Sequence, residues 1–174
     1  MKLLRLVVCI IFVFAFSMIV LGQNSRKLAK NFNAVSMDGK QIELSSLKGK
    51  VVVLTFWTTR CQICHQEMPK LNRLAEQYKG QNVVFLGLTT ENEAKVQKFL
   101  KKNRFNYDIL PNTFGVLLDY AEKDDVGNIN MGFPTHFLVN QKGEIEFRTS
   151  GFAKTEKLDS GINQLLAAQP ARVE

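Results

Sequence analysis

The stretch Phe56-Trp57-Thr58-Thr59-Arg60-Cys61-Gln62-Ile63-Cys64-His65-Gln66-Glu67-Met68-Pro69 puts two thiols on either side of a dipeptide. It follows an apolar run, Val51 to Trp57, that reads as a buried strand, and it opens a segment with helical spacing. A Cys-x-x-Cys pair at a strand-to-helix junction is the sequence form of a redox dithiol. Cys61 would stand at the helix N-terminus, where unpaired amides and the helix dipole favour a thiolate. Cys64 would lie one turn on, within reach of a small disulfide ring.

Upstream, residues 1–22 differ from the rest of the chain. Lys2 and Arg5 give a basic start, and Leu6 to Leu21 is apolar throughout except for Ser17. This reads as a signal peptide or an uncleaved N-terminal membrane anchor. The apolar run is short for a spanning helix, which needs about 20 residues. Val20-Leu21-Gly22 is a weak cleavage signal, so both readings stand. Either way the remainder is expected to be exported, with Lys2 and Arg5 held inside. Cys9 lies in the apolar segment and reads as a small apolar residue; Val8 before it does not suit lipoprotein processing.

Cys61 and Cys64 are then the only thiols of the exported part. Export to an oxidising space gives such a pair a purpose. A loop this short constrains an unfolded chain little, so stabilisation is a poor reason for the pair and catalysis a better one. The net charge of +7 is spread among acidic residues, which suits a solvated surface and gives no support to nucleic-acid binding.

Residues 23–31 read as a linker, 32–168 as one domain and 169–174 as a tail. Asp38-Gly39 within Phe32–Leu44 signals a hairpin. After the cysteines, Leu71, Leu74, Ala75 and Tyr78 recur at helical spacing, with Pro69 expected to kink the helix and Gly80 to end it. Val83–Leu88 reads as a second buried strand. Thr90-Glu91-Asn92-Glu93 resembles a capping box before a helix carrying Val96, Phe99 and Leu100. Asn112–Tyr120 reads as a short helix and Glu122–Met131 as a polar loop. Thr135–Val139 and Glu144–Thr149 read as a hairpin around Gln141-Lys142-Gly143, and Thr155–Ala168 as a last helix. The order predicts an α/β fold: a mixed central sheet flanked by helices, with an N-terminal β-hairpin extension.

Phe56-Trp57 before the dithiol, Glu67-Met68-Pro69 after it, and Gly132-Phe133-Pro134-Thr135 about seventy residues on resemble the thioredoxin superfamily. More closely, the chain resembles exported thiol-disulfide oxidoreductases of the TlpA/ResA type, over roughly residues 30–168. The resemblance implies a thioredoxin-like fold and exchange of electrons with protein thiols and disulfides of the periplasm or cell envelope. It implies cell redox homeostasis as the setting, a reductive direction, a membrane electron donor, and a role in cytochrome c maturation. No cofactor is implied beyond the Cys61–Cys64 disulfide, and no metal. Residue by residue, it makes Cys61 the nucleophile, Cys64 the resolving thiol and Glu67 an acid/base group. It makes Pro134 a cis-proline facing the disulfide, with Phe133 and Thr135 beside it. Trp57 would pack beneath the site.

Two departures stand out. Thr55 occupies the place where thioredoxins often carry a buried Asp, which leaves Glu67 as the proton acceptor. Arg60 replaces a common Trp before the first Cys, removing an aromatic contact surface and adding a cation that favours the thiolate. Two other functions fit parts of the pattern. Cys61-x-x-Cys64-His65 matches a c-type haem attachment motif, although the preceding strand and Pro134 point away from it. Thr58, three residues before Cys61, suits a thiol peroxidase, but the proline expected ahead of it is missing. His136, inside a strand, reads as a packing or surface residue, and Glu67 taken alone would be a solvated carboxylate.

Overall fold

The computed structural model describes residues 26–168. The segment 1–22 and the tail 169–174 lie outside the described residues. The centre is a five-stranded sheet whose middle strand is β3 (Val51–Phe56), every residue of which is buried. Burial on both faces explains the nearly continuous apolar run, broken only by Thr55, because a strand in the middle of a covered sheet has no solvent side. β4 (Val83–Leu88) and then β5 (Asp108–Leu110) lie parallel on one side of β3. On the other side β8 (Thr135–Val139) and β9 (Ile145–Ser150) add antiparallel, so the order is β5-β4-β3-β8-β9.

Side-chain alternation divides the core in two. Val52, Leu54 and Phe56 face one layer, with Leu86, Leu88, Phe137 and Val139. That layer is covered by helix α3 (Phe114–Tyr120) and by the N-terminal hairpin β1 (Asn33–Val35) and β2 (Gln41–Glu43). Val51 and Val53 face the opposite layer, against α1 (Gln62–Gln77) and α4 (Thr155–Ala167). Each fully buried Val or Leu contributes about 1.5–3 kcal/mol relative to exposure. Helix α2 (Glu93–Leu100) sets Val96 in a third cluster with Trp57, Cys64 and Ile109.

The expected fold is the observed one, with local corrections. The strand β5 has no counterpart in the reading of the sequence: it is only three residues long, at the end of a stretch in which Phe105, Tyr107 and Ile109 alternate with polar residues. The hairpin turn protects its outer edge, since Met37 N–H donates to Ile109 O at 2.8 Å. The segment Glu122–Met131 is not plain loop but holds the hairpin β6 (Glu122–Lys123) and β7 (Ile129–Asn130). Asp124 shapes its turn by accepting the N–H groups of Val126 and Asn128. The cap of α2 is Asn92, whose side chain accepts Lys95 N–H, rather than Thr90. Helix α1 continues through Pro69 to Gln77. Part of the stretch read as a linker is docked: Leu28 bridges Glu144, and Ile145 N–H donates to Lys27 O. Among the described residues no helix is long and apolar enough to cross a membrane.

Candidate active site

The dithiol sits where β3 ends and α1 begins, and Cys61 and Cys64 form a disulfide with their Cα atoms 5.2 Å apart. Cys61 is the N-cap of α1, and its sulfur accepts Cys64 N–H at 3.0 Å. That amide is one of the donors a helix start leaves unpaired, so a thiolate at Cys61 would find a hydrogen bond and the positive end of the helix dipole. Cys61 is half-buried, whereas Cys64 is 5% exposed. One sulfur is open to a partner and the other is screened from it.

The loop before Cys61 is tied from two sides. Glu91, just past the end of β4, accepts Thr59 N–H at 2.7 Å and Thr59 O–H at 2.8 Å. Burial raises the pKa of Glu91, but bonds from Lys95 and Thr59 outweigh it and hold the carboxyl below its ordinary 4.5. From α1, His65 Nε2 donates to Thr59 O at 2.9 Å, and its ring lies 5.1 Å from that of Phe99. Arg60 is exposed.

Beside Cys64 lies a small space lined by Thr55, Trp57, Cys64, Glu67, Tyr107 and Pro134, among others. Glu67 is wholly buried; its Oε1 accepts from Lys70 Nζ at 2.9 Å, and its Oε2 has no partner. The solvated carboxylate expected of Glu67 taken alone is therefore not what the helix makes of it. Trp57 is buried against Phe99 and Phe105, with ring centroids 5.4 and 4.8 Å away, and its Nε1 is unpaired. Gly87 makes room for it: a Cβ there would stand 3.2 Å from Trp57 Nε1 and 2.6 Å from Ile109 Cδ1. Burial pushes the Tyr107 phenol up, so it stays un-ionised.

The Phe133–Pro134 bond is cis. Pro134 is buried at the head of β8 and lines the same space as Cys64. Phe133, half-buried, packs against both the Trp57 cluster and the far layer. Thr135 Oγ1 donates to Gly132 O at 2.5 Å, so the Ser150 hydroxyl 2.6 Å away must be the donor to Thr135. The structure thus brings Cys61, Cys64, Glu67, Trp57 and Pro134 together, with Phe133 and Thr135 flanking and Arg60 at the rim.

Two residues outside the expected site belong to its surroundings. In sequence Glu91 falls within a capping motif, yet a carboxylate just past a buried strand end is well placed to hold the neighbouring loop. His136 pairs with Thr55 across β8 and β3, and Thr55 Oγ1 lies 3.0 Å from its Nδ1. Among the described residues no group of three His, Cys, Asp or Glu side chains gathers as a metal site would.

Residues 26–148 match the model of the AhpC/TSA family. A thiol-disulfide oxidoreductase ResA of Bacillus cereus is 36% identical over 141 residues, covering 80% of this chain and 77% of that protein. A thiol:disulfide interchange protein of the thioredoxin family from Chlorobium tepidum TLS superposes with a TM-score of 0.72 at 23% identity, over 83% of this chain and 99% of that one. The exposed lipoprotein thioredoxin of Streptococcus pneumoniae strain TIGR4 does so with a TM-score of 0.67 at 24% identity, over 78% and 100%. The chain therefore belongs to the AhpC/TSA family, as a thiol-disulfide oxidoreductase with a thioredoxin-like fold.

Proposed function

We propose that this protein reduces disulfides of exported protein substrates, using the Cys61–Cys64 couple as its electron carrier and no further cofactor. The observation that carries the reading is the asymmetry of the couple: an accessible sulfur at the helix cap and a screened one a turn behind it. The Cys61 thiolate attacks a substrate disulfide; one sulfur–sulfur bond forms, another breaks, and a substrate thiolate leaves. Cys64 loses its proton towards Glu67 and attacks Cys61, freeing the second substrate thiolate. Two electrons have passed from the dithiol to the substrate. Phe133 and Pro134 form the wall against which the substrate chain lies, over Trp57 and beside Arg60, with Thr135 wholly buried behind them.

The basic, apolar segment 1–22 supports export to the periplasm or cell envelope, with that segment as signal peptide or anchor. The pneumococcal neighbour is an exposed lipoprotein, which agrees with such a location. A membrane electron donor would return the couple to the dithiol. The reductive direction follows the resemblance to exported TlpA/ResA-type oxidoreductases, and apocytochrome c thiols awaiting haem attachment are the proposed substrate class.

Insulin reduction by the purified protein tests the activity, and Cys64→Ser should stall the mixed disulfide and capture the partner. Activity that survives Cys61→Ser would remove the nucleophile assignment. Equilibration with glutathione gives the direction: a potential near about −270 mV suits a reductant and one near about −120 mV an oxidant. Thr58, three residues before Cys61, is where a thiol peroxidase carries its threonine, so consumption of hydrogen peroxide faster than reduction of insulin would favour the peroxidase reading. A haem carrier is disfavoured, because the motif joins a buried sheet strand to α1 and lines one space with the cis-Pro134.

A further inference from the structure

His136 is the second residue of β8, and none of its surface reaches solvent. A buried imidazole gives up the hydration of two ring nitrogens, so each needs a partner. Nδ1 has Thr55 Oγ1, 3.0 Å away; Nε2 has none. Glu67 Oε2 is likewise buried and without a partner. The two residues reach one layer from opposite sides. Thr55 and His136 point from the sheet toward the face that α1 covers, and Glu67 points from α1 toward the sheet. Thr55, Glu67 and Cys64 line the same small space. A proton leaving Cys64 enters a layer that holds an unpaired carboxylate oxygen and an unpaired imidazole nitrogen.

We propose that His136 is a positioning residue for the thiol chemistry: with Glu67 it forms a buried imidazole–carboxylate pair that accommodates the proton Cys64 gives up. The inference rests on the reading of Cys64 as the resolving thiol. In the step, the Cys64 S–H bond breaks and the proton passes to the pair. The Cys64 thiolate forms its bond to Cys61 Sγ, the bond from Cys61 to the substrate sulfur breaks, and that sulfur leaves with the electron pair. Thr55 and His136 together stand in for the buried carboxylate whose usual place Thr55 occupies.

The electrostatics agree. Burial draws the His136 pKa down from 6.5 to about 4, and the charge of Glu67 pulls against it. The imidazole is thus neutral at neutral pH, and its part is to hold and orient the Glu67 carboxyl, which takes the proton. A thiolate forming at Cys64 adds a second negative charge nearby, which favours the protonated form of the carboxyl. The groups around the ring are Thr55 from β3, Thr149 in register on β9, and Glu67 from α1 with Lys70 on its other oxygen. Tyr107, across the space beside Cys64, stays un-ionised.

The test is a pH titration of the reduced, full-length protein, with the alkylation rate of each cysteine followed by mass spectrometry. His136→Asn keeps a polar atom for Thr55 and removes Nε2. The midpoint for Cys64 ionisation should rise by about one pH unit, with a smaller change at Cys61. His136→Gln, which returns a polar atom near the Nε2 position, should recover part of the shift. Thr55→Val, which releases Nδ1, should move Cys64 the same way by less. A purely structural role would lower the melting temperature of all three and leave the Cys64 midpoint at the wild-type value; that result overturns the proposal. Should His136→Asn fail to fold, the other two variants decide on the same criterion. Alkylation needs no substrate, so a wild-type protein inactive on insulin would break the functional reading while this titration still decides the proton pair.

Discussion

The two sides of the disulfide are bonded in opposite ways. On the outer side, Thr59 has its N–H and hydroxyl on Glu91 and its carbonyl on His65. Glu91 is bound in turn by Lys95, and Cys61 Sγ receives the Cys64 amide. On the inner side, Trp57 Nε1, Glu67 Oε2 and His136 Nε2 are buried with no partner. A buried polar atom left unpaired costs about 1–3 kcal/mol, so three in one layer are expensive for a small domain. On the proposed mechanism, the outer side fixes the position of the nucleophile, and the inner side leaves hydrogen-bonding capacity unspent next to the thiol proposed to give up a proton. The difference would then separate two jobs, presentation of Cys61 and proton handling for Cys64.

Each side can be tested separately, and the largest effect belongs to the nucleophile. Cys61→Ser should lower insulin reduction on the order of a thousandfold or more, whereas Cys64→Ser should still form the mixed disulfide and stall there. Equal ability of the two variants to trap substrate would erase the distinction between exposed and screened sulfur.

The next effect concerns the inner side and acid stability. The folded pKa of His136, about 4, is below its ordinary value of 6.5, so between those values the unfolded chain binds more protons than the folded one. Stability from this group is fully present above about pH 6.5 and is lost as pH falls toward 4, by roughly 3 kcal/mol in all. Denaturant unfolding of wild type and His136→Asn across that range should give curves that converge as the medium becomes acidic. A constant offset between them would mean that the imidazole is not held neutral. Slightly smaller is the effect of Glu67→Gln, which keeps shape and polarity but cannot accept a proton from Cys64. Resolution of the mixed disulfide should slow about a hundredfold, while the first attack by Cys61 keeps its rate.

Much of this arrangement is legible in the chain, and the remainder depends on pairings that no local pattern records. The run Val51–Phe56 and the dithiol after it announce the strand, the helix and the cap in order. Pro134 stands out through its neighbours and is cis in the fold. The burial of Glu67 also has a signal: Cys64, Met68, Leu71, Leu74 and Tyr78 trace the inner stripe of α1, and position 67 falls within it. The partnership of Thr55 with His136 has none. Those residues are 81 apart and meet only through the register of β3 with β8. The strand β5 is hidden, although Phe105, Tyr107 and Ile109 alternate ahead of and within it, because only three residues pair, and the β6–β7 hairpin because Asp124 shapes it by side-chain bonds to the backbone.

The smallest expected effect lies on the outer side, at Glu91. Its carboxylate holds Thr59 by two bonds, and Lys95 adds an ion pair whose lysine is 44% exposed. The exposed ion pair contributes little, so the loss in Glu91→Ala comes from the Thr59 N–H and hydroxyl, about 1–2 kcal/mol of stability. Because the folded Glu91 pKa is below 4.5, this contribution is present above that pH and disappears as the carboxylate is protonated in acid. The variant should therefore differ from wild type at neutral pH and approach it below the folded pKa. Hydrogen exchange at the Thr59 amide should quicken, because its acceptor has gone. Cys61 should then be presented less uniformly, with insulin reduction down a few-fold and the Cys64 ionisation midpoint unmoved. If that midpoint shifted as well, the outer clamp and the inner proton layer would be one coupled unit rather than two.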